Sequence, residues 1–173
     1  MDETITLRPW HDRDLPVLER SNTPEMTTFL GGPESDEALR NRHARFLRLW
    51  QEGEARMFVV ESSRENEPIG SIGYWKKEWQ GEDAYETGWS IATAYQGRGL
   101  ASRALAACVA DAASQGDRRH LFAFPRTDNA ASNALCRTSG FTLRGEADFE
   151  YPKGNPIRSN VWVYDLAAGA PTR

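Results

Sequence analysis

The chain has 173 residues, of which 39% are hydrophobic and 27% are charged, and its formal net charge is −4. This length and composition indicate one soluble globular domain over residues 1–167, with a flexible tail at 168–173, and exclude a disordered chain. The acidic balance argues against nucleic acid as the main partner, because phosphate backbones require a basic surface. No apolar run reaches the roughly 20 residues that span a bilayer, and the acidic start is unlike a secretory signal, so we expect a cytoplasmic protein without a membrane partner.

Hydrophobic periodicity and cap residues predict strands and helices along the first half of the chain. Glycines and a proline at 31–33 separate a short helix from a longer one, which Ser35 or Asp36 caps. The predicted elements are, in chain order, a strand at 5–8, a helix from about 12 to 20, a helix from about 35 to 52, and strands at 56–61, 69–76 and 84–92.

The second half opens with a glycine turn, which leads into an alanine-rich helix. Its predicted elements are a helix at 99–114, a strand at 121–124, a helix at 130–138, and an antiparallel strand pair at 141–151 and 158–166. Strands outnumber helices, and helices fall between some strands but not all of them. This pattern predicts an α+β fold, with a mixed, mostly antiparallel sheet flanked by helices.

Cysteine and histidine are too few and too scattered to suggest a metal site. Cys108 and Cys136 form no C-x-x-C pair, and the three histidines lie far apart in the sequence. We therefore expect no metal and two reduced thiols.

The most informative segment is the turn Gln96-Gly97-Arg98-Gly99, which joins a β-branched strand to the alanine-rich helix. Its glycines permit backbone angles that other residues resist, and the first amides of a helix have no intrahelical acceptor. A strand, a glycine turn and a helix start together predict an anion site for a phosphate or pyrophosphate. Because the chain is acidic overall, we expect local positive charge from Arg98 and Arg103.

Two common nucleotide motifs do not fit this turn. The chain has no G-x-x-x-x-G-K-[ST] string, which excludes a Walker P-loop. The dinucleotide fingerprint G-x-G-x-x-G is matched only at its first two glycines, and the chain after the turn is too short for a second mononucleotide-binding half.

Gln96-x-x-Gly99-x-Ala101 resembles the Gln/Arg-x-x-Gly-x-Gly/Ala signature of the GNAT N-acetyltransferases, whose successive amides bind the acetyl-CoA pyrophosphate. A second block, Asn129-x-x-Ser132 followed by Gly140-Phe141, resembles the family's N-x-x-S…G-F block. The segments 5–9 and 22–30 resemble the ribosomal-protein N-terminal acetyltransferase branch. The resemblance extends from about residue 5 to about residue 166.

The resemblance implies the acyl-CoA N-acyltransferase fold, acetyl-CoA as cosubstrate, and direct attack of a primary amine without a covalent enzyme intermediate. The acceptor would be a small molecule or a protein N-terminus, and the protein a monomer or homodimer. A non-catalytic sensor that binds acetyl-CoA or CoA is the alternative. The implied cofactor contacts are Trp89, Ser90, Ile91, Gln96, Gly97, Arg98, Gly99, Leu100, Ala101, Ser102 and Asn129.

Three residues are candidates for proton transfer. Glu86 lies on the strand before the turn and is the candidate base, with a pKa raised by partial burial; the alternative is an ordinary solvated or salt-bridged glutamate. Many family members have a tyrosine four residues after the motif serine, to protonate the leaving thiolate. Here Cys136 stands at that place, as an acid or a packing residue, and Ser132 is the alternative donor.

The acceptor side is predicted only loosely. Aromatic and acidic residues near the predicted loops suggest a pocket for a cationic, partly apolar amine, although packing of the aromatics under loops and solvation of the carboxylates is the favoured explanation. They are Trp75, Trp79, Tyr85, Phe149 and Tyr151, with Glu78, Glu82, Glu146, Asp148 and Glu150.

Overall fold

A computed structural model describes residues 2–168 of the chain. Within these residues, seven strands form one sheet and four α-helices pack on it. The strands are β1 (Ile5–Pro9), β2 (Ala55–Ser62), β3 (Gly70–Trp79), β4 (Glu82–Ile91), β5 (His120–Ala123), β6 (Thr142–Glu150) and β7 (Pro156–Asp165). The helices are α1 (Leu15–Ser21), α2 (Asp36–Gln51), α3 (Leu100–Gln115) and α4 (Ala130–Thr138).

The predicted α+β fold is confirmed. Every predicted helix and strand is present, with ends displaced by no more than three residues, and α1 is preceded by a 3₁₀ turn at Asp12–Asp14. Apart from Ala168, the predicted flexible tail lies outside the described residues. In the part of the chain that the structure describes, no helix is long and apolar enough to cross a bilayer.

The sheet has the strand order β1-β2-β3-β4-β5-β7-β6. Neighbouring strands are antiparallel except β4 and β5, which run parallel. Parallel neighbours need a crossover connection, and α3 supplies it between β4 and β5. The carboxyl ends of these two strands therefore lie at the same edge of the sheet, where ligands of open α/β sheets bind.

A two-residue turn fixes the register of β3 against β4. Gln80 and Gly81 both have positive φ, 50° and 81°, as a type I′ hairpin turn requires. The register then places Trp75 opposite Glu86.

Helices cover both faces of the sheet. Val59 and Val60 are adjacent in β2 and both fully buried, yet they belong to different clusters, because successive side chains of a strand point to opposite faces. The face that carries Val60 packs under α3 and α4, and the face that carries Val59 packs under α1 and α2.

The buried side of α3 consists largely of small residues. Ala104, Cys108 and Ala112 are completely buried, and Leu105 lies among them. Small side chains allow the helix to approach the sheet closely, so α3 holds its first turn near the end of β4. The prediction that Cys108 is a small core residue is confirmed.

Candidate functional site

The two parallel strands separate soon after they meet. β4 pairs with β5 only at Tyr85 and Glu86, although β4 continues to Ile91. On its other side, β4 remains paired with β3 to the end, with Ser90 opposite Ser71 and Ile91 opposite Gly70. β4 therefore presents a strand edge without a β5 partner to an opening in the sheet, and Trp89, Ser90 and Ile91 lie along it.

The glycine turn follows directly at the end of this edge. Gly97 and Gly99 have φ of 76° and 74°, and Gly99 is the N-cap of α3 in the left-handed conformation. A Cβ at either glycine would meet no atom within 4 Å, so these glycines are needed for backbone conformation and not for close internal packing. The Gln96 side chain ties the turn to the strand, because its Nε2 donates to the Ile91 carbonyl at 2.9 Å.

The turn has the main-chain arrangement of an anion site. Helix α3 starts at Leu100, and its first amides, including those of Ala101 and Ser102, lack intrahelical acceptors. Both glycines are exposed to solvent, so a ligand can reach the turn. The partial positive charge of the helix N-terminus points at the same place, which suits a pyrophosphate.

The predicted positive charge of Arg98 is not free at this turn. Its guanidinium donates to Glu65 at 2.9 Å and to Glu3 at 2.8 Å, and the Glu3 side chain is only 9% exposed. A hydrogen bond from Ser62, together with Arg98 itself, lowers the pKa of Glu3 and keeps it ionised. Arg103 donates to the Glu3 carbonyl at 2.6 Å. The expectation is therefore corrected for Arg98, which is ion-paired, whereas Arg103 donates to a neutral carbonyl and keeps its charge; both arginines hold the N-terminal segment against the turn.

Glu86 lies on the sheet face opposite α3, at the point where β4 and β5 separate. Its side chain is 22% exposed, and its Oε2 accepts a hydrogen bond from Trp75 Nε1 at 3.1 Å and lies 3.8 Å from Lys77 Nζ. Burial raises the pKa of Glu86 above its ordinary value, although the Lys77 ammonium and the Trp75 N–H favour the charged form. A carboxylate in such surroundings can accept a proton at neutral pH.

The Trp75 indole, which stands opposite Glu86, also lies against Gly88, two residues further along the same face of β4. A Cβ at Gly88 would lie 3.0 Å from the Trp75 ring, closer than nine in ten Cβ contacts in proteins, so the ring would have to shift slightly. Neither this close approach nor the Lys77 contact was predicted from the sequence. The hairpin turn at Gln80-Gly81 was the available signal, since it sets which β3 residues stand opposite Glu86.

The start of α4 lies at the same sheet edge, after β5. Asn129 caps the helix, with its Oδ1 accepting from the Ser132 amide at 3.2 Å, and the Ser132 side chain is half-buried.

Asn133, which was not predicted from the sequence, is buried and fully hydrogen-bonded. It donates to the carbonyls of Arg126 and Asn129 and accepts from Asn160 and Trp162. These bonds fix α4, and hence Ser132, against the loop after β5 and against β7.

Cys136 does not lie with Ser132 on the accessible side of α4. The thiol is completely buried in the core under α3, and this burial raises its pKa to about 12. A thiol that is hidden from the sheet opening and this weakly acidic is unsuited to protonating a leaving group. The candidate for that role is therefore corrected to Ser132, and Cys136 is assigned to packing.

The predicted acceptor residues are divided between the two faces. Trp79 stacks on Phe149 with ring centroids 5.6 Å apart, on the Glu86 side of the sheet. Tyr85 points to the other face, where it is buried and donates to Asp117, so it does not line the acceptor side. Two of the predicted carboxylates, those of Glu146 and Asp148, form ion pairs with Arg158.

Comparisons with known proteins agree with this geometry. The sequence model of the acetyltransferase (GNAT) domain matches residues 4–142. The chain belongs to the GNAT acetyltransferase family. Among residues 2–168 of this GNAT protein, no three His, Cys, Asp or Glu side chains are grouped so that they could hold a metal ion.

Named relatives of this GNAT protein modify ribosomal proteins. The ribosomal-protein-serine acetyltransferase of Escherichia coli is 33% identical over 112 residues, which are 65% of this chain and 61% of the relative. The alignment thus spans about three-fifths of that enzyme. A Salmonella typhimurium acetyltransferase, which modifies the N-terminal serine of 50S ribosomal subunit protein L7/L12, has a similar structure. It is 28% identical with a TM-score of 0.80, over 94% of this chain and 95% of its own.

A further similar structure contains coenzyme A. It is a ribosomal L7/L12 α-N-protein acetyltransferase, 27% identical with a TM-score of 0.79, covering 95% of this chain and 96% of its own, and a cysteine of that protein is disulfide-bonded to the coenzyme A. Both cysteines of the present chain are buried. This GNAT protein therefore presents no thiol at its surface for such a bond.

Proposed function

We propose that this protein transfers the acetyl group of acetyl-CoA to the N-terminal α-amine of a protein, by direct attack of the amine on the thioester. The observation that carries the proposal is the separation of β4 and β5 immediately after Glu86. An anion-binding turn lies at the end of the opened strand edge, and a partly buried carboxylate stands on the opposite face of the sheet. Donor and acceptor can then meet from two sides at one opening.

On the donor side, main-chain groups do the binding. The amides of Gly97 to Ser102 hold the pyrophosphate, and Gln96 keeps the turn on the end of β4. The β4 edge at Trp89, Ser90 and Ile91 supplies amides to the pantetheine and to the oxyanion that develops from the acetyl carbonyl. Asn129 keeps the N-terminus of α4 in place beside the same opening.

On the acceptor side, the chemistry is proton removal. An α-amine has a pKa of about 8, so it reaches neutral solution mostly as an ammonium and must lose a proton before it attacks. Glu86 accepts that proton, directly or through a water molecule, and Ser132 donates a proton to the departing thiolate. Holding amine and thioester together supplies much of the remaining acceleration, so no covalent enzyme intermediate is needed.

The choice of a protein N-terminus rests on the relatives. The Escherichia coli and Salmonella typhimurium proteins carry the names of enzymes that act on ribosomal-protein serine, and the resemblance of the segments 5–9 and 22–30 points the same way. An α-amine also suits Glu86 better than a lysine does, because its lower pKa, by about two units, makes proton transfer easier.

A thiol-release assay tests the proposal. Peptides with a free N-terminal serine or alanine are compared with the same peptides blocked at the α-amine and carrying one internal lysine. We expect release of CoA with the free N-termini only, and loss of release in Gly99→Trp, whose bulky side chain occupies the face of the turn. If CoA binds but no acceptor, including small amines, releases thiol, the protein is a sensor and the proposal is wrong.

A further inference from the structure

The chain has only three lysines, at positions 76, 77 and 153, and two of them are adjacent on β3. Because neighbouring side chains of a strand point to opposite faces, Lys76 and Lys77 lie on opposite sides of the sheet. Their own exposure and their distance to a carboxylate are matched, although the Glu54 side chain is 50% exposed and the Glu86 side chain only 22%. Lys76 Nζ lies 3.8 Å from Glu54 and its side chain is 32% exposed; Lys77 Nζ lies 3.8 Å from Glu86 and its side chain is 34% exposed.

The ammonium of Lys77 lies over the place where the sheet opens. Lys77 stands on β3, and its side chain reaches Glu86 on the neighbouring strand, the last β4 residue paired with β5. The same Nζ is 6.0 Å from the centre of the Phe124 ring, and Phe124 is the first residue after β5. Its position between Glu86 and Phe124 is where the proposed function requires an acceptor amine.

We propose that Lys77 is a self-acetylation site of this protein, an inference that rests on the proposed function. Glu86 takes a proton from the Lys77 ammonium, and the neutral amine attacks the thioester carbonyl of bound acetyl-CoA. A C–N amide bond forms while the C–S bond breaks, and the CoA thiolate leaves and gains a proton. No other reactant is needed.

Non-enzymatic acetylation by free acetyl-CoA would give a different ratio of Lys77 to Lys76 modification from this reaction. Unassisted acetylation depends mainly on the exposure of the amine, and the two adjacent lysines are exposed to nearly the same extent, at equal distance from a carboxylate. Acetylation inside the site depends on the sheet face, and only Lys77 is on the face of Glu86. Lys76 therefore serves as an internal control for modification outside the site.

The experiment incubates the full chain with acetyl-CoA without any acceptor and follows the lysines by peptide mass spectrometry. We expect Lys77 to be acetylated at least about tenfold faster than Lys76, since a positioned base alone contributes about 10²–10⁴-fold. The rate constant should not depend on protein concentration, because the reaction occurs within one molecule. Glu86→Gln should slow Lys77 and leave Lys76 unchanged, and Lys76→Arg should leave Lys77 unchanged.

The variants also separate failure of this inference from failure of the proposed function. Equal acetylation of Lys76 and Lys77 would show that the reaction is chemical and would overturn the inference. An unmodified Lys77 in a protein that acetylates N-terminal peptides would overturn the inference and leave the proposed function standing. If neither lysine nor any peptide is acetylated although CoA binds, both proposals are wrong. Circular dichroism of Glu86→Gln establishes that a slower rate does not come from unfolding.

Discussion

Helix α3 provides a matched pair of glycines that separates ligand binding from folding. Gly99 at its N-terminus and Gly116 at its C-terminus both adopt the left-handed conformation, with φ of 74° and 72° and ψ of 12° and 4°. A Cβ at either position would meet no atom within 4 Å. Alanine at the two sites therefore imposes the same backbone strain and no clash, but only Gly99 belongs to the anion turn.

The expected magnitudes follow from this geometry. A left-handed backbone costs an L-residue about 1–2 kcal/mol, so Gly99→Ala and Gly116→Ala should lose similar free energies of unfolding. At Gly99 the strained turn and its new methyl group should also disturb the amides proposed to bind the pyrophosphate. A hydrogen bond to a charged group contributes about 1.5–3 kcal/mol, so loss of one should weaken CoA binding about ten- to hundredfold.

Isothermal titration with CoA and urea denaturation of both variants measure the two quantities. We expect similar unfolding free energies for the two variants, with the weaker CoA affinity confined to Gly99→Ala. Gly116→Ala should keep the affinity of the unmodified protein, since its strain lies at the far end of the helix. An equal dissociation constant for the two variants would refute the assignment of the pyrophosphate to this turn.

Three further predictions concern the proton chemistry and the arginine. Glu86→Gln should lower kcat/KM by about 10²–10⁴-fold in a thiol-release assay. In the unmodified protein, kcat/KM should rise as pH increases through the raised pKa of Glu86, because only the carboxylate form accepts a proton. The variant should lose this rise. Trp75→Phe removes a hydrogen bond to the charged form, so that rise should move to higher pH, and an unchanged profile would contradict the contact. Arg98→Gln should weaken CoA binding less than Gly99→Ala, because the guanidinium is already paired with two carboxylates; a larger loss by calorimetry would show that the arginine turns to the ligand.

Features that depend on residues close together in the chain were predicted correctly from the sequence. Ser35 caps α2 as predicted, with its hydroxyl accepting from the Ala38 amide, because a cap depends on residues three positions apart. The glycine turn and the cap at Asn129 were predictable for the same reason. The face of Glu86, opposite to that of Tyr85, followed from strand alternation alone.

Contacts between distant segments account for what the sequence did not predict. The partners of Arg98 lie 33 and 95 residues away, so no local pattern shows that its charge is neutralised. The burial of Cys136 depends on how α4 meets α3, which helical spacing leaves open. The Trp75 contact depends on the register of β3 and β4, and one residue of slip would have moved Trp75 to the other face.

The groups proposed to hold the donor are main-chain amides, which carry no proton that ionises near neutrality. A change of pH would then leave the affinity for the diphosphate largely unaltered. It would change the protonation of Glu86 and of the attacking amine on the other face of the sheet. In the proposed reaction, binding of the donor is therefore insensitive to pH near neutrality, whereas reactivity of the acceptor depends on it.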